Sequence, residues 1–323
     1  MRSARKTSLR LGRAWAPGLV LLLAAGSVWG QINNLSREEL IRYTAQNPYD
    51  RFPDGRPKVP DSVLEQLKDM SAEEFIGAGG RGSNQYVDGF QLLSPGKKLI
   101  GRAFTLQLMP IRAEVADADA AAWKEKGNTL ALNHQTALDM LQPGDVFVVD
   151  AFGNLDAGGI VGDNLAYYMW KKTGAGFVID GAIRDLEGIA AFGMAGYFRG
   201  ATPPAIRGLM VTGINVPVRI GKTTVMPGDV VFGDREGVTF VPPHQVQGYI
   251  DTAKITHIHD EWTKIKFADG KYKSTDIYGR PHDPALIQEY EEYLRQKLGP
   301  QAYDEYKKRG GGPRPAPPAK SQR

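Results

Sequence analysis

The chain has 323 residues, of which 42% are hydrophobic and 24% are charged, and it contains no cysteine. This length and composition predict a globular protein with a large core in one or two domains, and they exclude disorder of the whole chain. The lack of cysteine excludes disulfides, thiol catalysis, thiolate-bound metals and iron–sulfur clusters.

The formal net charge of +4 comes from the two ends of the chain. Residues 1–30 and residues 307–323 contain basic side chains and no acidic one, so the segment between them is acidic overall. A nucleic-acid-binding protein needs a basic surface on its folded part. We therefore predict no nucleic-acid partner.

The first 30 residues have the three parts of a secretory signal peptide. A basic stretch is followed by an apolar core over Leu19–Ala25 and then by small residues before Gln31. The apolar core is far shorter than the ~20 residues that a membrane span needs, although an uncleaved anchor is the alternative interpretation. We expect a secreted or periplasmic protein with no membrane partner after signal cleavage.

Residues 31–98 are expected to form an N-terminal extension of helices and an extended arm. Ser36 and Glu39 have the spacing of a capping box at the start of a helix, and residues 47–62 are rich in proline. Gly77–Gly82 is a formal GxGxxG, but it follows an acidic helical segment rather than a strand. A dinucleotide-binding site is therefore not predicted there.

The first long strand is predicted at Leu99–Met109, where the residues alternate as in a half-exposed strand. Two short apolar runs follow later, Val146–Val149 and Phe177–Ile179. Each run is followed by an aspartate, Asp150 or Asp180, which we interpret as the end of the strand. Continuous apolar runs of this length are typical of buried strands.

The segment between the two apolar runs predicts a helix over Asp163–Lys172, which makes a strand–loop–helix–strand unit. Such a crossover implies two parallel strands with the helix packed on one face of the sheet. A glycine-rich loop precedes the helix, and a second loop after the next strand carries Arg184 and Asp185. Both loops leave the carboxyl ends of adjacent strands, where open α/β sheets bind their ligands. This is the candidate site.

Carboxylates, an arginine and glycine-rich backbone indicate an oxygen-rich site for a hard cation, Mg²⁺ or Mn²⁺. Arg184 would bind a substrate carboxylate with two hydrogen bonds, while Asp163 would orient a water molecule as acid or base. From the residues alone, a purely structural pair of Arg184 and Asp185 is the alternative. Asp150 and Asp180 are as well suited to capping turns as to binding.

From residue 246 the pattern is helical and polar, and it predicts a C-terminal extension over residues 246–309 with an amphipathic helix at Ala285–Leu298. His257 and His259 form the closest histidine pair, which we interpret as part of a solvated face rather than as zinc ligands. Residues 310–323 are of low complexity and are predicted to be disordered.

Five segments, in the same order, resemble the RraA-like family, which includes regulators of ribonuclease activity A and 4-hydroxy-4-methyl-2-oxoglutarate aldolases. The segments are Gly101–Thr105, Pro143–Asp150, Gly159–Ala166, Gly176–Asp185 and Pro227–Val238. The resemblance implies an α/β fold, a swivelling β/β/α domain of the RraA-like type over residues 99–245, between helical N- and C-terminal extensions. It also implies a homotrimer or homohexamer with sites between subunits.

The same resemblance implies roles for individual residues. Asp185 corresponds to the metal ligand, Arg184 to the residue that holds the pyruvoyl group, and Asp163 to the acidic residue that orients metal-bound water. The substrate carboxylate would be received at the helix start, by Gly162 and the backbone amides of Asp163, Asn164 and Leu165. Asn164 stands where the family usually has an apolar residue.

The function that the resemblance implies is that of a lyase dependent on a divalent metal. It would act on a small 2-oxo acid as an aldolase or a decarboxylase, through a pyruvate enolate. The alternative is a non-catalytic RraA-like protein that binds or regulates a partner through the trimeric scaffold. Exchange of the methyl protons of pyruvate in deuterated buffer distinguishes the two hypotheses.

Overall fold

The computed structural model describes residues 34–78, 85–279 and 281–310. The signal peptide predicted for residues 1–30 lies outside these ranges, as does all but the first residue of the tail predicted to be disordered. Most of the GxGxxG segment falls in the gap at residues 79–84. None of the helices in the described ranges is both long and apolar enough to cross a lipid bilayer.

Helices lie at both ends of the described chain and between the central strands. In chain order they are α1 (Arg37–Tyr43), α2 (Asp61–Leu64, continued by a 3-10 turn at Glu65–Leu67), α3 (Ala72–Ala78), α4 (Ala113–Glu125), α5 (His134–Asp139), α6 (Asp163–Thr173), α7 (Leu186–Ala190), α8 (Pro243–Ala268), α9 (Ser274–Ile277), α10 (Pro284–Leu298) and α11 (Pro300–Lys308). The capping box predicted for Ser36 and Glu39 is present at the start of α1.

The strands, in chain order, are β1 (Tyr86–Val87), β2 (Gln91–Leu92), β3 (Leu99–Pro110), β4 (Asp145–Asn154), β5 (Phe177–Ile183), β6 (Gly196–Ala201), β7 (Leu209–Ile214), β8 (Val218–Ile220), β9 (Thr223–Val225), β10 (Val230–Gly233) and β11 (Val238–Val241). Within the described ranges, nine of them form one sheet in the order β1-β11-β10-β3-β4-β5-β6-β2, and β7 pairs with the far end of β3. The four central strands, β3 to β6, are parallel. β8 and β9 form a separate hairpin.

The predicted strand–loop–helix–strand unit is confirmed as β4, α6 and β5, with the two strands parallel. The prediction that the strands end at Asp150 and Asp180 is wrong. These two residues are register partners in the middle of the sheet, and both strands continue beyond them. The buried carboxylates are tolerated because each is hydrogen-bonded: Asp150 accepts from the amide of Arg219 at 3.1 Å, and Asp180 accepts from Nε of Arg199 at 2.6 Å.

The prediction of a half-exposed first long strand is also wrong, because β3 is buried on both faces for most of its length. Phe104 and Leu106 pack into a cluster with side chains of α4 to α7. Leu99 and Ala103 point to the opposite face and pack with the β8–β9 hairpin. A central strand that is covered on both faces loses the polar alternation on which the prediction relied.

The N-terminal segment packs as part of the core. Side chains of α2, α3 and α8 form a third apolar cluster with β10 and β11. In the proline-rich arm before α2, the side chain of Arg56 is fully buried and its two terminal nitrogens donate to Asp145 at 3.0 and 3.1 Å. The arm is therefore attached to the first residue of β4 by a buried ion pair.

The predicted amphipathic helix at Ala285–Leu298 is confirmed as α10, and its buried Leu286 lies in one apolar cluster with Trp262 of α8. The interpretation of the histidine pair as a solvated face holds only in part. His257 is half-exposed beside Glu74, with Nδ1 and Oε1 2.8 Å apart, whereas only 19% of the His259 side chain is exposed because it packs against Trp262.

Candidate active site at the ends of two parallel strands

The start of helix α6 and the turn after strand β5 meet at one edge of the sheet. The loop before α6 runs beside the end of β5: the amide of Ile160 donates to Ala182 O at 2.9 Å, and the amide of Arg184 donates to Val161 O at 3.0 Å. These two hydrogen bonds fix Gly162, the N-cap of α6, against Arg184. The two loops that the sequence predicted to form a site are therefore in direct contact.

Three glycines allow this close approach. A Cβ atom built on Gly159 would lie 2.7 Å from Cβ of Arg184, and one built on Gly162 would lie 2.9 Å from Nε of the same arginine. A Cβ atom on Gly188, in α7, would lie 2.8 Å from Cβ of Asp163. Real Cβ atoms do not come this close to other heavy atoms, so any larger residue at these positions displaces a site residue.

Asp185 has a backbone conformation that is unusual for a residue with a side chain. Its φ of 58° and ψ of 45° lie in the left-handed region, at the N-cap position of α7, yet its carboxylate does not cap that helix. A left-handed conformation costs a non-glycine residue about 1–2 kcal/mol, and such strain is concentrated at functional sites. The turn therefore holds the Asp185 carboxylate away from its own helix.

The arginine and the aspartate are open to solvent. Nε of Arg184 lies 3.5 Å from Oδ2 of Asp185, and 38% and 36% of the two side chains are exposed. The pair is thus a loose, half-exposed contact rather than a buried salt bridge. Both groups remain accessible to a ligand that carries its own charge.

The donor set suits a hard divalent cation that keeps most of its water. Within the part of the chain that the structure describes, no group of three or more histidine, aspartate or glutamate side chains is arranged to hold a metal. Mg²⁺ commonly uses one or two protein carboxylates and completes its octahedron with water and substrate. The single half-exposed carboxylate of Asp185, which does not cap its own helix, fits that mode of binding.

The start of α6 adds backbone donors. Gly162 caps the helix without a side-chain hydrogen bond, and the first amides of a helix have no partner within the helix. The amide of Asn164 donates to Oδ1 of Asp163 at 2.7 Å, which holds that carboxylate at the helix end. The prediction that the Asn164 amide receives the substrate carboxylate is therefore not supported, because this amide already has an acceptor. The amides of Asp163 and Leu165, together with the positive end of the helix dipole, favour an anion in front of the loop.

The structure brings the predicted site residues together at this edge: Arg184, Asp185, Gly162, Asp163, Asn164 and Leu165. Gly159 lies in the glycine-rich loop that the sequence assigned to the candidate site, although no individual role was predicted for it. Gly188 was not predicted, and nothing in the local sequence pointed to it. Asp150 and Asp180 are held beneath the β8–β9 hairpin by their hydrogen bonds to backbone and arginine, and they do not join the site.

The fold and this edge together define a class of α/β protein in which an arginine and carboxylates meet a glycine-rich helix start beside parallel strands. The sequence model described as RraA-like, Aldolase/RraA, matches residues 67–240, more than half of the chain. The chain therefore belongs to the RraA-like family. The predicted RraA-like α/β fold with helical extensions is confirmed.

The chain is similar both to proteins named as aldolases and to a protein of the RraA family. The chain is 31% identical over 99 residues to the 4-hydroxy-4-methyl-2-oxoglutarate aldolase of Thermus thermophilus, and 38% identical over 128 residues to a Halalkalibacterium halodurans protein provisionally given that name. These matches cover 31% and 39% of this chain and about 60% of each relative. The solved structure of Streptomyces coelicolor RraAS2, described as an unusual member of the RNase ES inhibitor RraA family, is 30% identical, with a TM-score of 0.56 over 65% of this chain and all of the other.

Proposed function

We propose that this protein is a lyase, dependent on a divalent metal, that breaks a carbon–carbon bond in a small 2-oxo acid through a pyruvate enolate. The observation that carries the proposal is the approach of Gly162 to Arg184 and Asp185, which brings a helix start, a half-exposed guanidinium and a half-exposed carboxylate next to one another. The names of the relatives support a lyase, while the choice between aldol cleavage and decarboxylation is part of the proposal.

Substrate binding would rest on the arginine and the helix start. The half-exposed guanidinium of Arg184 can form two parallel hydrogen bonds with a carboxylate. The backbone amides of Asp163 and Leu165 offer further donors to the same group or to the neighbouring keto oxygen. A 2-oxo acid carries both acceptors on adjacent carbons, so one small group can engage the loop and the arginine together.

Asp185 would hold the cation, which we propose to be Mg²⁺ or Mn²⁺. Such a cation, when bound, polarises the keto oxygen and stabilises the negative charge that develops on it. Arg184 adds a second positive charge beside the same group, and the strained backbone of Asp185 keeps its carboxylate directed at the site instead of at helix α7.

Asp163 would act as the general base, accepting a proton from the substrate, and then as the general acid, returning it. In the cleavage of a 4-hydroxy-2-oxo acid, the bond between C3 and C4 breaks, its electron pair passes to the keto oxygen through the new C2–C3 double bond, and the hydroxyl on C4 loses its proton. The Asp163 carboxylate, held by the Asn164 amide and packed on Gly188, can take that proton directly or through one water molecule. Its return to C3 gives pyruvate. In decarboxylation the same enolate forms as CO₂ leaves.

Assembly and location belong to the same proposal. We propose that the protein is a homotrimer or homohexamer, and light scattering on the purified protein measures the mass of the oligomer. We also propose that the chain is exported and that residues 1–30 are removed. The composition of those residues supports export. A mature chain whose mass corresponds to a start at Gln31 would agree with it, and retention of the whole segment on the exported protein would contradict it.

A second candidate is a non-catalytic protein that binds a partner through the same scaffold. The specific observation in its favour is the likeness to RraAS2, whose description concerns inhibition of a ribonuclease rather than an aldolase. This alternative keeps the fold and the oligomer, but it assigns no chemistry to Asp185.

The test is pyruvate release from oxaloacetate and from a panel of 4-hydroxy-2-oxo acids, first with EDTA and then after Mg²⁺ or Mn²⁺ is added in excess. The lyase proposal expects release from at least one substrate that appears only with the metal. A folded, oligomeric protein that releases pyruvate from none of them, with either metal, would contradict the lyase and favour the binding protein.

A further inference from the structure

A groove of about 210 Å³ lies between helices α4 and α5 and strand β7. We call it the α4–β7 groove and define it by six lining residues: Leu108, Asp119, Leu132, His134, Arg207 and Val211. All of its lining residues, and their neighbours in sequence, are among the described residues. Its volume is below the roughly 300–1,000 Å³ of pockets for drug-sized ligands, so it suits a smaller molecule.

The groove is next to the proposed active site but separate from it. The amide of Ile206 donates to Gly159 O at 3.1 Å, and the amide of Arg207 donates to Ala157 O at 2.7 Å, so this segment is paired with the glycine-rich loop. Ile206 and Arg207 line the groove, whereas the proposed metal ligand and catalytic residues do not. One segment of chain therefore divides the two places.

Apolar side chains form the base of the groove. Leu108 and Val211 are 2% and 6% exposed and belong to the main core cluster, against which Leu132 packs. Ile111, which also lines the groove, is 54% exposed. An apolar group placed in the groove would remove this surface from water, and the hydrophobic effect favours its binding.

Two opposite charges face the groove without meeting each other. Within the described ranges, neither the carboxylate of Asp119 nor the guanidinium of Arg207 makes a hydrogen bond or an ion pair. Burial raises the pKa of Asp119, and no described cation lies close enough to lower it. Both charged groups are therefore available to a ligand.

His134 adds a neutral polar group between α4 and β7. Its ring also has no hydrogen-bond partner among the described residues, and burial lowers its pKa. A neutral imidazole offers one N–H donor and one acceptor nitrogen. With His134 neutral, the groove presents one negative and one positive group, so its charge is balanced.

We propose that the α4–β7 groove binds a small zwitterion, an α-amino acid with an apolar side chain. Asp119 binds the ammonium group, Arg207 binds the carboxylate, and the side chain of the ligand lies on the apolar base. A zwitterion satisfies both unpaired charges at once. An anion or a cation of the same shape pairs with one of them and is repelled by the other.

The probe is L-leucine, titrated into the full-length protein by calorimetry. Two matched compounds each lack one charge: 4-methylpentanoate has no ammonium group, and 3-methylbutylamine has no carboxylate. We expect saturable binding of leucine and at least tenfold weaker binding of both analogues, since each loses one charge-assisted hydrogen-bonding group. An analogue that binds as tightly as leucine would overturn the proposal, and so would the absence of saturable leucine binding.

Isosteric variants locate the two charged groups. Asp119→Asn and Arg207→Gln should each weaken leucine binding about tenfold, and Asp119→Asn should not weaken binding of 4-methylpentanoate, which has no ammonium group to lose. The matched control is Asp117→Asn, an exposed residue of α4 that does not line the groove. Thermal unfolding of every variant checks the fold. Unchanged leucine binding in folded Asp119→Asn or Arg207→Gln would contradict the assignment.

A last variant separates this groove from the proposed active site. Arg184 is half-exposed, and the proposed function already assigns it to a carboxylate. If leucine occupies the α4–β7 groove, Arg184→Gln binds leucine as tightly as the wild-type protein, whether or not the lyase proposal holds. Loss of leucine binding in folded Arg184→Gln would place the ligand in the active site and overturn the proposal.

Discussion

Gly162 lies so close to Asp185 that a single added carbon would collide with Oδ2 of the aspartate. The same carbon would lie 2.9 Å from Nε of Arg184. The backbone of Gly162 is extended, with φ of −111°, so an alanine can adopt it without backbone strain. The glycine is therefore required for space in the site rather than for conformational freedom.

Gly162→Ala should separate activity from stability. We expect a loss of about 100-fold in kcat, since the new methyl group displaces the carboxylate or the guanidinium and small misplacements are costly to catalysis. The free energy of unfolding should fall by only about 1 kcal/mol, the difference between glycine and alanine at an N-cap. The control is Gly248→Ala in helix α8, where an added Cβ meets nothing within 4 Å. Full activity in Gly162→Ala would show that this approach has no catalytic role.

Asp150→Ala should damage the fold rather than the chemistry. The side chain is 6% exposed, and its oxygens accept from the amides of Phe152 at 2.9 Å and Arg219 at 3.1 Å. Removing the carboxylate leaves two buried amides without an acceptor, which should lower the free energy of unfolding, measured with urea, by about 2–4 kcal/mol. The free energy of unfolding of Asp156→Ala, at an exposed position, should stay within about 0.5 kcal/mol of the wild-type value. A variant that is as stable as the wild type but inactive would place Asp150 in the site after all.

The central unit could be predicted from sequence because its signals are local. The runs Val146–Val149 and Phe177–Ile179 are buried on both faces, so they are continuously apolar, and the glycine-rich loop marks the start of α6. The ends of the strands could not be predicted, because Asp150 and Asp180 are stabilised by groups far along the chain. Arg219 and Arg199 provide those hydrogen bonds, and no local pattern reveals them.

Asp229 should make stability depend on pH. Burial raises the pKa of its carboxyl group to about 7, and the amide of Met226 is its hydrogen-bond donor at 2.8 Å. Because the pKa in the folded state exceeds the unfolded value of about 4, the folded state binds the extra proton between these limits. The contribution of this group to the free energy of unfolding is therefore most favourable below about pH 4, and it falls as the pH rises to 7.

The measurement compares the wild-type protein with Asp229→Asn by urea unfolding at several pH values. The free energy of unfolding of the wild type, relative to the variant, should fall by up to about 4 kcal/mol between pH 4 and pH 7. An exposed control, Asp117→Asn, should show no such trend. A difference between wild type and Asp229→Asn that is constant over this range would contradict the assignment of a raised pKa.

Arg56→Met should be strongly destabilising. The guanidinium is fully buried, donates to both oxygens of Asp145, and also pairs with Asp54 at 2.7 Å. Its removal leaves the buried Asp145 carboxylate without a cationic partner, at a cost of about 3–5 kcal/mol. Among the described residues, only the amide of Gln142, which donates to Oδ2 of Asp145 at 2.8 Å, still contacts it. The double variant Arg56→Met, Asp145→Asn should lose less free energy of unfolding than the two single variants lose together. Arg112→Met, whose side chain is exposed, is the control. Strict additivity in urea unfolding would show that the pair is not coupled.

The arm also shows where the sequence was insufficient. Its prolines predicted an extended segment, whereas the structure shows a segment that turns back on itself, with Arg51 bridged to Pro57. Nothing local indicated that Arg56 would be buried. A charged residue is a surface residue by default, and its partner Asp145 is 89 positions away. The same limit applies to the site, where the contact of Gly188 with Asp163 depends on the packing of α7 against α6. The side chains that form the site could be identified from the sequence. The contacts between segments that are distant along the chain could be seen only in the folded structure.

The central claim is that the carboxylate of Asp185 holds the cation on which enolate formation depends. The most direct measurement is exchange of the methyl protons of pyruvate for deuterium, followed by NMR with and without Mg²⁺. It compares the wild-type protein with Asp185→Asn and with Asp156→Asn, an exposed aspartate of the glycine-rich loop. We expect exchange that requires Mg²⁺ in the wild type and in Asp156→Asn, and a rate in Asp185→Asn that is no higher than without metal. Exchange by folded Asp185→Asn at the wild-type rate in Mg²⁺ would contradict the account.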